Sequence, residues 1–320
     1  MSRRRPVFVG VGCAAVALGV ALASLEPGSL FTSMTSADVF VFEQILLPRV
    51  LTALIAGASL ALSGAVFQSL TRNPLGSPDI LGFTQGAATG ALIGVTLLGG
   101  STLLVAGSAW LGAVVSAAAV YFVARRGGIT GGTRLVLVGI GVAAMLTGVN
   151  DYLMTRANIS DAAQAAVWIT GSLDGSTWNS VVLLAVAAVV LMPCVILTSR
   201  ALRILEMGDD LAIGLGIPAE RLRLFALAGA VVLAATAASQ AGPVAFVALC
   251  APHVARKLTR ATGPNLVPSL LVGSVLLVGA DWVARYGIPN RELPVGAVTG
   301  LLGGGYLAYL LAQQRRTGRI

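Results

Sequence analysis

The chain has 320 residues; 56% are hydrophobic, only 11% are charged, and the net charge is +8. Soluble domains carry about 25% charged residues, so this composition excludes a soluble globular protein and identifies an all-α polytopic membrane protein. The positive charge then reads as membrane orientation, and nucleic acid is not required to explain it.

A membrane-spanning helix takes about 20 mostly apolar residues. In chain order the apolar runs predict ten spans, at 7–25, 46–70, 79–98, 102–124, 134–155, 179–199, 223–241, 244–261, 267–285 and 295–312. A shorter apolar piece at 162–171 reads as a helix lying at the surface or dipping in. The first run has a second reading. "MSRRRP", the apolar stretch and "ALAS" together look like a signal peptide cleaved at Ala21–Ala23, but the run is longer than usual for one, which favours retention as a first transmembrane helix. With the N-terminus inside and the spans alternating, Arg49, Arg156, Arg285 and Arg291 are the basic residues left outside, out of 21 in the chain. That positive-inside bias supports one transmembrane domain over 1–320, with ten spans and both termini cytoplasmic.

Lipid supplies no hydrophobic push between helices, so close packing relies on small residues. The second span has Gly57, Ala61 and Gly64; the third has Gly82, Gly86, Gly90 and Gly94; the tenth has Gly296, Gly300 and Gly304. These stripes are expected at helix packing faces, with a sliding surface or a pore lining as the functional alternative. "GASLALSGAVFQ" ending at Gln68 and "GAVVLAATAASQ" ending at Gln240 echo each other, each soon followed by a proline step. In the expected topology they run in opposite directions, as in an inverted repeat.

The polar segments carry the remaining signals. "RNPLGSP" (72–78) is a breaker-rich inner loop, in which Asn73–Pro74 and Ser77–Pro78 favour turns and Arg72 anchors the inner face. The loop at 200–222 is the longest polar inner segment; its acids Glu206, Asp209, Asp210 and Glu220 surround the apolar Leu211, Ala212, Leu215 and Ile217. An apolar patch in a polar loop reads either as a protein-docking surface or as an ordinary solvated loop. Asp151 and Asp281 fall near outer helix ends, and Asp281 is expected to pair with Arg285 one turn later. Gln68, Gln85 and Asn150 either line a pathway or bond between helices. The single histidine, His253, follows Cys250 and Pro252, but no other histidine or nearby cysteine completes a metal set. Pro252 withholds one backbone donor there. The stretch therefore reads as a kinked basic helix end, with His253 as a hydrogen-bonding tie.

Several segments together resemble one family. They are "LPRVLTALIAGASLALSGAVFQSLTRNPLGSPDILGFTQGAATGA" (47–91), "WITGSLDGSTW" (168–178), "MGDDLAIGLGI" (207–217), "AGPVAFVALCAPHVAR" (241–256), "GADWVAR" (279–285) and "ELPVGAVTGLLGGGYLAYLL" (292–311). In order and over nearly the whole chain, they resemble the FecCD family of ABC transporters, the vitamin B12 and ferric-siderophore importer permeases. The region "TRLVLVGIGVAAMLTGVNDYLM" looks most like ferric-enterobactin-type permeases. The resemblance implies a type II ABC importer permease fold in a bacterial cytoplasmic membrane. It implies two separate ATPase subunits, a second permease copy or paralogue, an extracytoplasmic binding protein, and a ferric siderophore in transit, with vitamin B12 or haem as the alternative cargo. It assigns ATPase coupling to Gly208, Asp209, Asp210, Leu211, Ala212, Leu215, Gly216, Ile217 and Pro218, and binding-protein docking to Arg49 and Arg291. Leu46 stands where the family's usual R-L-P-R has its first arginine, which departs from the standard docking ladder. Gln68, Arg72, Asn73, Pro74, Pro252, His253 and Arg256 are the matched family motif positions. No cofactor is expected on this chain. ATP and magnesium would belong to the ATPase, since the only lysine, Lys257, follows Arg256 and cannot complete a Walker A motif. A secondary transporter would need mid-membrane acids for its coupling ion, and an intramembrane enzyme a cluster of reactive groups at depth. The sequence offers neither.

Overall fold

The structure is a computed structural model that describes residues 5–25, 36–125, 132–288 and 292–316. Among these residues every regular element is helical. In chain order they are α1 (Arg5–Ser24), α2 (Ser36–Val41), α3 (Leu47–Thr71), α4 (Phe83–Thr96), α5 (Thr102–Ala124), α6 (Gly132–Arg156) and α7 (Ile159–Thr170). Then follow α8 (Trp178–Leu197), α9 (Ser199–Glu206), α10 (Asp209–Gly214), α11 (Ala219–Ala241), α12 (Val247–Thr259), α13 (Leu266–Tyr286) and α14 (Val295–Arg316). A π-helical turn over Phe42–Leu46 joins α2 to α3 without a break.

Six helical runs among the described residues are long and apolar enough to cross a membrane: Ser36–Thr71, α5, α6, α8, α11 and α13. Apolar stretches within α1 and α14 are shorter. The third and eighth predicted spans contract to α4 and α12, of 14 and 13 residues. At 1.5 Å per residue each is about 20 Å long, less than the ~30 Å hydrocarbon core. The reason is local chemistry. The two prolines of 72–78 hold the chain in turns until Gly82, and Gly242–Pro243 keeps α12 from starting before Val247. Such irregular backbone is tolerated at depth only where protein covers it. Gly76, Ser77 and Pro78 are buried, and Gly76, Leu81, Gly82 and Phe83 donate their N–H groups to Asn73, Ser77, Asp79 and Pro78 carbonyls.

α3 is the centre. Most of its apolar stretch is buried, and α8, α11, α12 and α13 pack round it. By contrast few residues of α6 and α8 are buried, and most lie at least partly exposed on the outside of the chain. Close backbone approach explains the small residues of α3. A Cβ at residue 57 would lie 2.4 Å from the Gly273 carbonyl of α13, and one at residue 64 only 1.8 Å from the Ala248 carbonyl of α12. Ala248 lies four residues before Pro252, so its carbonyl has no helical donor. The side that Pro252 opens is the side that meets Gly64.

The other glycine stripes divide. Gly86, Gly90 and Gly94 face α5, with Gly90 against the Ser108 carbonyl, while Gly82 precedes the α4 stripe as a left-handed cap (φ 82°). On α14, Gly296 abuts the Thr170 carbonyl. Gly300 and Gly304 meet no neighbour among the described residues, and the close approach falls instead on Gly303 against Phe246. Replacing Gly64 with Ala is expected to destabilise the purified protein by about 1–3 kcal/mol through overpacking. Gly300→Ala, into open space, is expected to leave it unchanged. Thermal unfolding in detergent compares the two.

Candidate functional site: two charged clusters joined by one helix

The first cluster is built on Arg49, in the first turn of α3. Its guanidinium donates from Nε to Asp281 of α13 (3.0 Å), and from Nη1 to Asp174 (2.6 Å) and to Glu292 (3.4 Å). Arg49 is 7% exposed and Asp281 1%, whereas the Asp174 and Glu292 side chains are open to solvent. The expected partner of Asp281 is refined here: its hydrogen-bonded ion pair is with Arg49, 232 residues away, while Arg285 adds its charge from nearby and donates to the Ser24 carbonyl and to the Tyr286 hydroxyl. Arg49 is held within the chain through Nε and Nη1, and the solvent-exposed members of this cluster are the carboxylates Asp174 and Glu292. Arg291 lies outside the described residues. Close by in sequence and space, Gly296 N–H donates to the Gly171 carbonyl (3.0 Å) and Leu293 N–H to Ala284 (3.0 Å). These bonds tie the start of α14 to the ends of α7 and α13.

The second cluster, at the other end of α3, gathers round the segment from α9 to α10. Gly208 (φ 135°) and Gly216 (φ 78°) adopt backbone conformations that favour glycine, and they bracket the short α10. Asp209 opens α10 and accepts from two arginines: Arg223 of α11 (3.0 and 3.1 Å) and Arg72, the residue that ends α3. Arg223 also reaches Glu220 (3.2 Å), and Ser69 of α3 donates to Glu206 of α9 (2.6 Å). Burial alone would raise the Asp209 carboxyl, but the Arg223 hydrogen bond and the charges of Arg223 and Arg72 outweigh it and hold the carboxyl below its ordinary value.

The apolar surface of this segment differs from the expected one. Ala212 is fully buried and Ile217 packs inward on the main core cluster. The exposed apolar side chains are Met207, Leu211, Ile213 and Leu215, with Asp210, Gly214, Gly216 and Pro218 exposed beside them. Met207 and Ile213 were not singled out from the sequence, although the 3.6-residue period of α10 could have separated Ala212 from its neighbours.

Further into the bundle, Gln68 donates to the Leu249 carbonyl (3.0 Å) and accepts from Arg256, so α3 and α12 are tied by a side chain. Asn73 Oδ1 accepts from Leu75 N–H (2.9 Å), which stabilises the turn through Pro74. Gln85 and Thr89 of α4 bond Asn150 of α6. His253 is half-buried and meets the Tyr306 ring edge-on at 5.8 Å. Among the described residues it has an aromatic neighbour and no hydrogen-bond partner, which corrects the expected tie. Lys257 lies over the Tyr306 and Tyr309 rings.

Removing one member of a buried ion pair costs about 3–5 kcal/mol because the other charge is left unpaired. Arg49→Met is expected to lower thermal stability in detergent by that order, and adding Asp281→Leu to recover most of it. For Asp209 the folded value is depressed. Its contribution is therefore complete above about pH 4 and is lost as pH falls through the lower folded value. Hydrogen exchange over 209–217, corrected for intrinsic rates, is expected to stay slow down to that pH and to accelerate below it.

The sequence model of the FecCD transport family matches residues 8–313. A ferric enterobactin transport system permease protein of Escherichia coli is 45% identical over 297 residues, covering 92% of this chain and 90% of that protein. An Fe(3+)-citrate import system permease protein of Bacillus subtilis is 35% identical, over 94% and 91% of the two chains. A cobalamin import system permease protein of Halobacterium salinarum is 37% identical over 83% and 72%. Among solved structures, a metal-chelate type ABC transporter in an inward-facing conformation superposes with a TM-score of 0.86 at 27% identity, over 95% of this chain and 99% of that one.

Proposed function

The chain belongs to the FecCD transport family, and from that premise we propose that it is the membrane-spanning permease subunit of an ATP-driven importer, with a ferric siderophore as cargo. The observation that carries the cargo is the 45% identity to a ferric enterobactin permease over nearly the full length of both chains. The 37% identity to a cobalamin permease keeps vitamin B12 as the second cargo to be tested. The chain is a multi-pass protein of a bacterial cytoplasmic membrane with both termini in the cytoplasm.

The partners follow from this role. Two ATPase subunits bind and hydrolyse ATP. A second permease, identical or paralogous, supplies the other wall of the pathway, and an extracytoplasmic binding protein delivers the chelate. The exposed Met207, Leu211, Ile213 and Leu215 form the patch that seats on the ATPase, and Asp210 with the flanking glycines completes it. Apolar side chains on a small rigid helix are the usual anchor of such a contact. At the opposite end, the exposed carboxylates Asp174 and Glu292 face the binding protein, where complementary charge sets encounter rate and register.

Uptake of ferric enterobactin into vesicles holding the complete transporter is expected to require ATP and to survive an uncoupler. Loss of uptake with the uncoupler alone removes the ATP-driven reading, and preferential uptake of vitamin B12 replaces the cargo. Replacing Ile213 and Leu215 with Asp is expected to reduce uptake about tenfold or more by burying unpaired charge at the contact, without weakening delivery by the binding protein.

A further inference from the structure

Two helices of this chain end in the same hydrogen-bond pattern with different residues at its centre. At the end of α10, Gly216 N–H donates to Ile213 (2.9 Å) and Ile217 N–H to Ala212 (3.0 Å), with Gly216 in the left-handed conformation. At the end of α3, Arg72 N–H donates to Ser69 (3.3 Å) and Asn73 N–H to Gln68 (3.2 Å). This is the Schellman closure, which favours glycine at its left-handed position because a Cβ crowds the backbone there. At the end of α3 that position holds Arg72, with φ 51°.

The arginine side chain is what distinguishes this closure from the glycine one. Its Nε and Nη2 donate to the Leu205 carbonyl near the C-terminus of α9 (3.2 and 2.7 Å), and Nη2 also donates to Asp209. A cation at a helix C-terminus complements the partial negative charge of the carbonyls there, and the Leu205 carbonyl also accepts the Gly208 N–H (3.3 Å). Asp209 is at the same time held by the buried Arg223 of α11. Gly208 and Gly216 bracket α10 in conformations that favour glycine, and Arg72 bridges its first turn to the central helix. A non-glycine residue held in the left-handed region by surrounding contacts points to function more than to folding.

We propose that Arg72 is a positioning residue that carries displacement of α10 into α3, with Asp209 as the anion shared between α3 and α11. The inference rests on the coupling role of α10 proposed above. Displacement at the inner end of α3 reaches the four helices packed round it, and through Gln68 and Arg256 it reaches α12 directly. Without the bridge, α10 follows the ATPase while α3 stays behind.

Arg72→Gly separates this role from a structural one, because it relieves the left-handed strain and keeps the Schellman bonds while removing the bridge. The assay uses the complete transporter in liposomes with its binding protein and ferric enterobactin, and reads ATP hydrolysed, chelate imported and thermal stability. Arg72→Gly is expected to leave stability equal or higher and to lower import per ATP roughly tenfold, at the upper part of the range for residues that modulate coupling. Arg72→Lys, which keeps the charge without the fork, is expected to fall between. Unchanged import per ATP in Arg72→Gly overturns the inference, as does a loss of stability with the ratio intact. If Arg72→Gly does not assemble, Asp209→Asn decides on the same ratio. Leu215→Asp tells the two levels apart. If it uncouples while Arg72→Gly does not, only this inference falls; if neither uncouples, the coupling reading falls with it.

Discussion

Everything in this chain is arranged around the burial of α3. Its backbone touches α13 at Gly57 and Gly273 and α12 at Gly64 and Ala248, with no side chain between them. In a bilayer such contact is the main source of cohesion, because lipid exerts no hydrophobic pressure on apolar helices and dispersion requires atoms in contact. A helix packed this closely cannot shift one end without disturbing the helices around it. Interiors of this density change between discrete arrangements more readily than they deform.

The polar groups obey the same constraint. A charge placed inside the bundle has to be answered there, as the buried Arg49 is, and the exposed Arg72 at the other end of α3 is likewise held by several elements at once. Arg49 gathers α13, the loop before α8 and the segment before α14. Arg72 gathers α9 and α10, and shares Asp209 with α11. About 35 Å of helix separates them. The two clusters differ in what they leave exposed: acids at the Arg49 end, and an apolar patch beside Asp210 at the Arg72 end. The proposed contacts with a binding protein on one face and an ATPase on the other would use this asymmetry.

The irregular segments belong to the same design. The turns at 72–82 and the break at 242–246 each replace part of a spanning helix; in the first the buried part is 76–78 and 81–82, and in the second every residue is buried or half-buried. The second break leads into α12, where Pro252 frees the Ala248 carbonyl against Gly64 and Leu249 receives Gln68. His253 sits in this stretch as an aromatic contact of Tyr306. The feature that looks most chemical in the sequence is, in the fold, part of a packing joint between α12 and α14.

Composition and apolar periodicity alone determined that the chain is an all-helical membrane protein, because too few charges exist to solvate it. Its ordered motifs from 47 to 311 determined the family, and the proline steps marked where helices break. Helix positions followed from local chemistry, which the sequence carries residue by residue. Tertiary structure alone decided the partners of the charges. Asp281 could be matched with Arg285 one turn away, and only the fold brings it to Arg49 across 232 residues. It decided that Ala212 and Ile217 turn inward while Met207 and Ile213 face out, since burial on a short helix depends on the neighbour it packs against. It also decided that Gly303, and not Gly300 or Gly304, meets Phe246, and that Arg72 occupies a left-handed position. A side chain's partner and a backbone's strain are set by what stands opposite in space, and a linear pattern does not contain that.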